Sequence, residues 1–208
     1  VVSSTGPLKG PEYIEISQLP GAFPGDERAI GRIGPYSFTD SGIFTVRLRE
    51  AETGIEGVSN VIEVSPEAPR LRLYWGDIHS QTIFSDGLRC PDELYCFARD
   101  EAFLDIFALA DHSDALTQPI WRYMVDAANF YNAPGEFATL VGFEWTASAV
   151  GHRNVYYPGE EGPVISHTRP DGDTLEKLFS LARREGALLI PHHSANAVMG
   201  VKWELGHD

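Results

Sequence analysis

From Leu71 onward, segments typical of buried strands alternate with segments typical of amphipathic helices, and this alternation constrains the fold more than any other feature. Strands are predicted over "RLRLYWGDIH", "LDIFALADH", "FATLVGFEW", "HRNVYY" and "ALLIPHH". Helices are predicted over "CPDELYCFARDEA", "QPIWRYMVDAANFYN" and "DTLEKLFSLARREG". In the last helix, Asp173 and Glu176 are expected to form a capping box and Gly186 to stop the helix. The pattern favours a parallel sheet or a β/α barrel.

Residues 1–68 follow a different pattern. In "GIFTVRLRE", apolar and polar residues alternate as in a half-buried strand, and "YIEIS" and "VIEVS" repeat this alternation more weakly. The segment "SPEAPR" contains Pro66 and Pro69 and is predicted to be a linker. We therefore expect a small β-sandwich-like domain over residues 1–68, followed by a second domain over residues 69–208.

The composition excludes several classes of protein. The chain has 208 residues, 43% of them hydrophobic, so it can bury a core. Its formal net charge of −14 argues against nucleic acid as a partner, and no apolar run approaches the ~20 residues that span a bilayer. The two cysteines, Cys90 and Cys96, are predicted to lie in one helix on different faces. This placement indicates neither a disulfide framework nor a thiolate zinc site.

The two ends of the sequence suggest a fragment of a longer protein. It begins "VVSS" without a methionine and stops at "GHD". The sequence therefore does not decide whether a signal peptide precedes it. Secreted, periplasmic and cytoplasmic locations are all compatible with it, and the β-rich front region favours secretion.

Ionisable and amide side chains cluster where the predicted strands end. They are Asp77, His79, Gln81, Asp111, His112, Asp114, Glu144, His192 and His193, with His152 opening the strand after Glu144. In β/α barrels the carboxyl ends of the strands meet on one face, so residues distant in sequence would share one pocket. A lone histidine beside an apolar strand is usually a hydrogen-bonded core residue, but this many strand-end ligands together favour a metal site.

The local spacing supports the same interpretation. Positions i and i+2 of a strand face the same side, so His79 and Gln81 could coordinate the same ion. Histidine, carboxylate and amide ligands without thiolate suit Zn, Mn or Fe. Asp111 precedes His112 and is a candidate to orient a ligand imidazole through a hydrogen bond.

The order of the motifs "GDIHSQTIFSDG", "ALADHSD", "VGFEWTAS", "GHRNVYY" and "LLIPHH" resembles the PHP superfamily, named for its polymerase-associated and histidinol-phosphatase members. It is most similar to an uncharacterised PHP-like family in which a β-rich segment precedes the first motif. The resemblance covers residues 71 to about 195. It implies a distorted β/α barrel, here incomplete, with two or three divalent metal ions and hydrolysis of phosphoesters.

Carried over by position, the resemblance implies roles for individual residues. The implied metal ligands are His79, Asp86, His112, Glu144 as the bridge between two ions, His152, and His192 with His193 as the alternative. Two departures stand out. Gln81 occupies the position of a second histidine, and the late Asp-x-His motif is absent from the sequence.

Three functional hypotheses follow. The first is a metal-dependent phosphoesterase acting on a phosphorylated small molecule, with Glu144, Asp86 and Asp111 as catalytic residues and Asp86 as a third-metal ligand or proton acceptor. Arg153 then either pairs with substrate phosphate or is an ordinary strand-end arginine. The second hypothesis keeps the metal but cleaves an amide, lactone or other ester. The third is a non-catalytic module that binds metal or ligand through a degenerate site.

Overall fold

The structure is a computed structural model that describes residues 1–12, 19–20, 27–28 and 35–205. The strand predicted over "YIEIS" (residues 13–17) and His207 lie outside the described residues. The chain divides into two compact units, Val1–Leu73 and Tyr74–Asp208. The predicted domains, with a boundary after residue 68, stay a prediction. No helix in the described ranges is both long enough and apolar enough to span a bilayer.

The first unit is rich in short strands, as predicted. The strands are β1 Val2–Ser4, β2 Leu8–Lys9, β3 Leu19–Pro20, β4 Glu27–Arg28, β5 Ser37–Phe38, β6 Gly42–Phe44, β7 Val46–Arg49, β8 Glu56–Val58 and β9 Ile62–Val64. They form the sheet β1-β7-β8 and the pairs β2-β5, β3-β4 and β6-β9. The strand predicted over "GIFTVRLRE" is therefore divided at Thr45, because β6 and β7 pair with different partners. The sandwich architecture itself stays a prediction.

The second unit is mixed α/β. Its strands are β10 Gly76–Ser80, β11 Ile106–Leu109, β12 Ala138–Trp145, β13 Arg153–Tyr157 and β14 Leu188–Pro191. Its helices are α1 Pro91–Cys96, continued as a π-helical turn over Phe97–Glu101, α2 Gln118–Tyr131 and α3 Leu175–Glu185, with a 3-10 turn at Trp203–Leu205. Each strand and helix predicted from the sequence is present, with shorter bounds at several ends.

The five strands form one sheet in the order β10-β11-β12-β13-β14. Strands β10, β11 and β12 are parallel, whereas β13 is antiparallel to both β12 and β14. An all-parallel sheet was therefore the wrong prediction at β13. The physical reason is the connection over residues 146–152, which is too short for a parallel crossover and makes β12 and β13 a hairpin.

The sheet curls so that its two edge strands approach each other. The Tyr156 hydroxyl, on β13, donates a hydrogen bond across the curl to the carbonyl of Ile78 on β10. The rings of His79 and His192, at the ends of β10 and β14, have centroids 3.8 Å apart. The result is a half-barrel: the described strands do not close into a full barrel.

The concave and convex faces of this sheet carry different cores. A small cluster fills the concave face and consists of Ala108, Ala110, Tyr156, Ile78, Leu140 and Ile190. The convex face packs against the helices through the main core, in which the Trp121 ring of α2 meets Phe143 of β12 edge to face at 5.7 Å. Burying one such side chain contributes about 1.5–3 kcal/mol.

The first strand begins later than predicted. Residues 70–75 are not a strand, and Leu71 and Trp75 are 84% and 60% exposed. Pairing with β11 starts only at Gly76, opposite Ile106. Before Gly76, the Trp75 carbonyl accepts from the amides of Asp105 and Ile106 at 2.7 and 3.1 Å, but residues 70–74 pair with no strand among the described residues.

One end of α3 differs from the prediction. Thr174, not Asp173, is the N-cap of α3, and its hydroxyl accepts from the Lys177 amide at 3.4 Å. Asp173 instead accepts a hydrogen bond from Lys177 Nζ at 2.5 Å. Gly186 ends the helix as predicted, with a left-handed φ of 65°.

The two cysteines are free. Cys90 is the N-cap of α1 rather than part of the helix, and Cys96 is its last residue.

Candidate metal centre

The predicted site residues meet at one rim of the curled sheet. The carboxyl ends of β10, β11, β12 and β14 lie at this rim. The amino end of β13 joins them because the hairpin returns to the place where β12 ended. His152 therefore reaches the same rim as Glu144, although β13 runs opposite to the predicted direction. The ends of β11 and β12 are fixed together by the backbone. His112 and Glu144 form a bridge, and the Glu144 amide donates a 2.9 Å hydrogen bond to the Asp111 carbonyl.

The carboxylate of Glu144 is the centre of the cluster and is fully buried. Its Oε1 lies 2.5 Å from His152 Nδ1, on one side. Its Oε2 lies 3.5 Å from His112 Nδ1 and 3.6 Å from His79 Nε2, on the other. No lysine or arginine contacts this carboxylate in the part of the chain that the structure describes. A buried negative charge thus has only neutral or titratable neighbours.

The potential ligand atoms fall into two groups that share Glu144. One group is His79, Glu144 and His192, and the other is His112, Glu144 and His152; within each, the atoms lie within 4.8 Å of one another. We call these the edge group and the central group, after the strands that carry their histidines. His192 thus belongs with His79 rather than with His152.

The donor atoms fit divalent ions. Two ligands at about 2.1 Å from a tetrahedral ion are about 3.4 Å apart, which agrees with the 3.6 Å between His79 Nε2 and Glu144 Oε2. His152 and Glu144, at 2.5 Å, are instead joined by a direct hydrogen bond. His79 Nδ1 is buried and has no hydrogen-bond partner among the described residues, so the ring has a second nitrogen that could coordinate an ion.

The position of His79 depends on a bulge in β10. Asp77 pairs with Phe107 and Ser80 pairs with Leu109, so β10 carries one residue more than β11 over this stretch. The extra residue allows Ile78 to pack into the concave core while the next side chain, His79, also turns to the cluster.

His193 lies beside the groups but belongs to neither. Its ring centroid is 3.7 Å from that of His192 and 5.4 Å from that of His152. Its φ of 51° is a left-handed conformation that non-glycine residues seldom adopt. The choice between His192 and His193 as the ligand stays a prediction, and the ligand geometry favours His192.

Two hydroxyl residues orient the imidazoles, and the sequence analysis missed both. Thr146 Oγ1 lies 2.6 Å from His112 Nδ1, and Ser148 Oγ lies 3.2 Å from His152 Nε2. Both belong to the β12–β13 connection, in the "TAS" that follows Glu144 and Trp145. A run of small hydroxyl residues directly after a strand-end glutamate is the signal that could have identified them.

The predicted aspartates lie in three different surroundings. Asp111 is fully buried, but its Oδ1 accepts hydrogen bonds from Thr82 and Ser85 rather than from an imidazole. It therefore holds the loop after β10. None of these hydrogen bonds goes to a histidine, and its role in orienting an imidazole stays a prediction. Asp86 is mostly exposed, with Oδ2 3.2 Å from His112 Nε2. Asp77 and Asp114 are exposed and lie outside both ligand groups.

Gln81 faces the cluster, as its pairing with His79 predicted. Its amide Nε2 donates to Glu144 Oε2 at 3.0 Å and lies 3.3 Å from His112 Nε2. The amide therefore presents a donor to the carboxylate. Coordination of an ion by its carbonyl oxygen, as the sequence analysis expected, requires the amide to rotate by half a turn.

Burial shifts the protonation of these groups. Desolvation lowers the pKa of His79 and His152, and it lowers the pKa of His192 to about 4. Burial also raises the pKa of the Glu144 carboxyl. At neutral pH these three imidazoles are therefore neutral, the form that coordinates metal ions.

Comparison with known proteins identifies the family. Residues 90–207, more than half of the chain, match the family described as "Protein of unknown function (DUF3604)". The chain belongs to this family.

Two individual proteins are similar to parts of the chain. An uncharacterized protein of Chlamydia pneumoniae is 23% identical over 172 residues, which are 80% of this chain and 27% of that protein. A crystal structure from Bacteroides vulgatus, titled as a two-domain protein containing a predicted PHP-like metal-dependent phosphoesterase, is 20% identical with a TM-score of 0.42. That match covers 62% of this chain and 38% of the other, and its TM-score is too low to define a shared fold. The chain thus spans less than half the length of either protein.

Proposed function

We propose that the chain carries the metal centre of a metal-dependent hydrolase that cleaves phosphoesters. One observation carries the proposal: the fully buried Glu144 carboxylate has histidine nitrogens beside both of its oxygens and no cationic side chain beside it in the described residues. A buried carboxylate without a counter-charge is costly, and a divalent cation on each side supplies that charge.

The residues divide into those that would hold ions and those that support them. The edge group would hold one ion and the central group another, with Glu144 common to both. Zn, Mn or Fe suits this set of imidazole and carboxylate donors. Ions held by these residues would act as Lewis acids that lower the pKa of a bound water and polarise a phosphoryl oxygen. Asp86, exposed beside His112, is placed to accept a proton or to bind a third ion.

The choice of a phosphoester rests on the resemblance of the motifs to the PHP superfamily, because a half-barrel with a metal centre does not select the bond. On the same resemblance we propose membership of that superfamily and a phosphorylated small molecule as substrate. For Arg153, the sequence left open a contact with substrate phosphate or an ordinary arginine at a strand end. The side chain is buried, and its Nη1 donates to the carbonyls of Val150 and Gly151, behind the rim.

A phosphatase assay with and without added Zn or Mn tests the proposal on the intact protein. Glu144→Gln keeps the shape of the side chain but removes its charge, so it should abolish metal-dependent turnover and reduce metal binding by at least about 100-fold. Glu136→Gln, at an exposed glutamate in the loop before β12, is the matched control and should change neither. Equal turnover in wild type and Glu144→Gln contradicts the proposal.

The amide of Gln81 supports a second candidate, a module that binds metal without catalysis. Its Nε2 already donates to Glu144 Oε2, the oxygen that lies beside both His79 and His112. Stoichiometric metal binding without turnover on a panel of phosphoesters, amides, lactones and other esters would favour this candidate. Turnover of an amide or lactone alone would favour the alternative hydrolase.

A further inference from the structure

The edge histidine on β10 follows a peptide unit that lies inside the bulge of that strand. Between Asp77 and Ser80, two residues of β10 lie opposite one residue of β11. These two residues are Ile78 and His79. A bulge interrupts the regular ladder, so contacts other than the sheet decide how the local backbone is turned. The orientation of the peptide unit between Ile78 and His79 in turn affects where the His79 imidazole points.

Two side chains hold this peptide unit, one at each end. The Tyr156 hydroxyl donates a hydrogen bond to the Ile78 carbonyl. At the other end, Asp77 Oδ1 accepts a hydrogen bond from the His79 amide at 2.8 Å, and Asp77 Oδ2 accepts one from the Ser80 hydroxyl at 2.9 Å. Because a peptide unit is planar, a bond to its carbonyl and a bond to its amide together fix its rotation.

The fold leaves room for the Tyr156 ring to reach β10. Tyr156 lies on β13, which β11 and β12 separate from β10 in the sheet, and its side chain shares the concave core with Ile78. On β12 it pairs with Gly142, where a Cβ atom would lie 2.5 Å from the Tyr156 ring. A glycine at this position therefore gives the ring space above β12, between the two strands that its hydroxyl joins.

Tyr156 and its neighbour Tyr157 use their hydroxyls in the same way but on opposite faces of the sheet. Both are buried, with 2% and 3% of their surface exposed. Burial raises the pKa of the Tyr156 hydroxyl, so it stays protonated at neutral pH and can donate. Tyr157 belongs to the main core on the convex face, and its hydroxyl donates to the Pro163 carbonyl. The two residues thus form a natural pair for comparison.

We infer that Tyr156 and Asp77 are positioning residues for the edge ion, because together they hold the peptide unit that carries His79. The inference rests on the proposed function, since it concerns one of the two ions of that centre. With this unit fixed, His79 Nε2 stays 3.6 Å from Glu144 Oε2. The central group does not use the peptide unit, because its histidines follow β11 and open β13. Release of the unit should therefore affect the edge ion alone.

Calorimetric titration of the intact protein with Zn tests the role of the hydroxyl. Tyr156→Phe keeps the ring and removes only the bond to Ile78, so it should weaken the edge ion by about tenfold and leave the central ion within about twofold of wild type. The binding step that is absent from His79→Gln identifies the edge ion. Tyr157→Phe, on the same strand and equally buried, is the matched control and should change neither affinity.

A second pair of variants tests the other end of the peptide unit. Asp77→Ala removes the acceptor of the His79 amide and should also weaken the edge ion by about tenfold. Asp77→Asn keeps an oxygen that can accept this bond, so its affinity for the edge ion should stay within about threefold of wild type.

The outcomes separate the inference from the proposed function. An unchanged affinity of the edge ion in Tyr156→Phe or in Asp77→Ala overturns the role of that residue and leaves the metal centre intact. Equal weakening of both ions, or the same effect in Tyr157→Phe, overturns the positioning role as well. A wild-type protein that binds no Zn overturns the inference together with the proposed function. If Tyr156→Phe is unfolded, the comparison of Asp77→Ala with Asp77→Asn decides alone.

Discussion

The edge group and the central group share one carboxylate, but they are formed by different parts of the sheet. The central histidines, His112 and His152, follow β11 and open β13, which flank β12 in the middle of the sheet. The edge histidines, His79 and His192, lie at the ends of β10 and β14, the two outer strands. The central group is therefore held by backbone ladders on both sides, whereas the edge group depends on the curl of the sheet.

Local contacts strengthen this difference. Thr146 and Ser148 each place a hydroxyl beside a central imidazole. In the edge group, His79 Nδ1 has no partner among the described residues. Partners of this kind fix ring orientation and typically change metal affinity by about 10–100-fold. We therefore expect the central ion to bind more tightly than the edge ion, even though His152 and Glu144 must first exchange their hydrogen bond for the ion.

Mutations of one histidine from each group should have the largest effects, because each should remove a different ion. His152→Gln should weaken the central ion by at least about 100-fold and cost about 1–3 kcal/mol of unfolding free energy, because it removes a hydrogen bond from a buried carboxylate. His79→Gln should remove the edge ion and leave the tighter central ion bound. Calorimetric titration with Zn gives both stoichiometries, and His167→Gln, which lies outside both groups, is the control. Loss of the same ion in both variants would show that the groups are not distinct sites.

A smaller effect is expected at Gln81. Gln81→His should raise the affinity of the edge ion by about tenfold, because it replaces the amide that now donates to Glu144 Oε2 with an imidazole ligand. The affinity of the central ion should stay within about twofold of wild type. Titrations of both forms with Zn and with Mn measure this change. Identical affinities for the edge ion would mean that Gln81 is not at the metal.

The smallest effect is on stability in acid without metal. Burial lowers the pKa of His79, His152 and His192 in the folded chain, the last to about 4. The unfolded chain, with histidine pKa values of about 6.5, therefore binds more protons below that pH. The stability that these histidines contribute is complete above pH 6.5 and is lost as the pH falls toward 4. The raised pKa of Glu144 acts in the opposite direction, but it is one group against three.

Thermal melts of the metal-free protein between pH 7 and pH 4 measure this dependence. We expect the melting temperature to fall over this interval and to fall less in His192→Gln, which removes the histidine with a pKa of about 4. A melting temperature that rises on acidification, or an identical slope in the variant, would contradict the assignment.

The cluster could be predicted from the sequence because its position depends only on where the strands end. Glu144 and His152 meet at one rim although β13 runs opposite to the prediction, since a hairpin returns the chain to the same edge that a parallel crossover would reach. Features that depend on a partner distant along the chain were not predicted correctly. Residues 70–74 alternate like a strand but pair with no strand among the described residues. Asp111 precedes a histidine, yet it bonds to Thr82.

The orientation of the side chains could not be predicted from the sequence either. Spacing placed Gln81 on the same side as His79, and the structure agrees. Which end of the amide faces Glu144 depends on His112 and on the carboxylate, both more than 30 residues away along the chain. The hydroxyls of Thr146 and Ser148 become relevant only after the hairpin has folded over the rim.

The most direct test of the account is an anomalous-scattering crystal structure of the intact protein with Zn, collected at the Zn absorption edge. The account predicts two anomalous peaks on opposite sides of Glu144, one beside His79 and His192 and the other, more fully occupied, beside His112 and His152. A peak that excludes Glu144, or no peak near it at saturating Zn, would contradict the claim that this carboxylate bridges a metal centre.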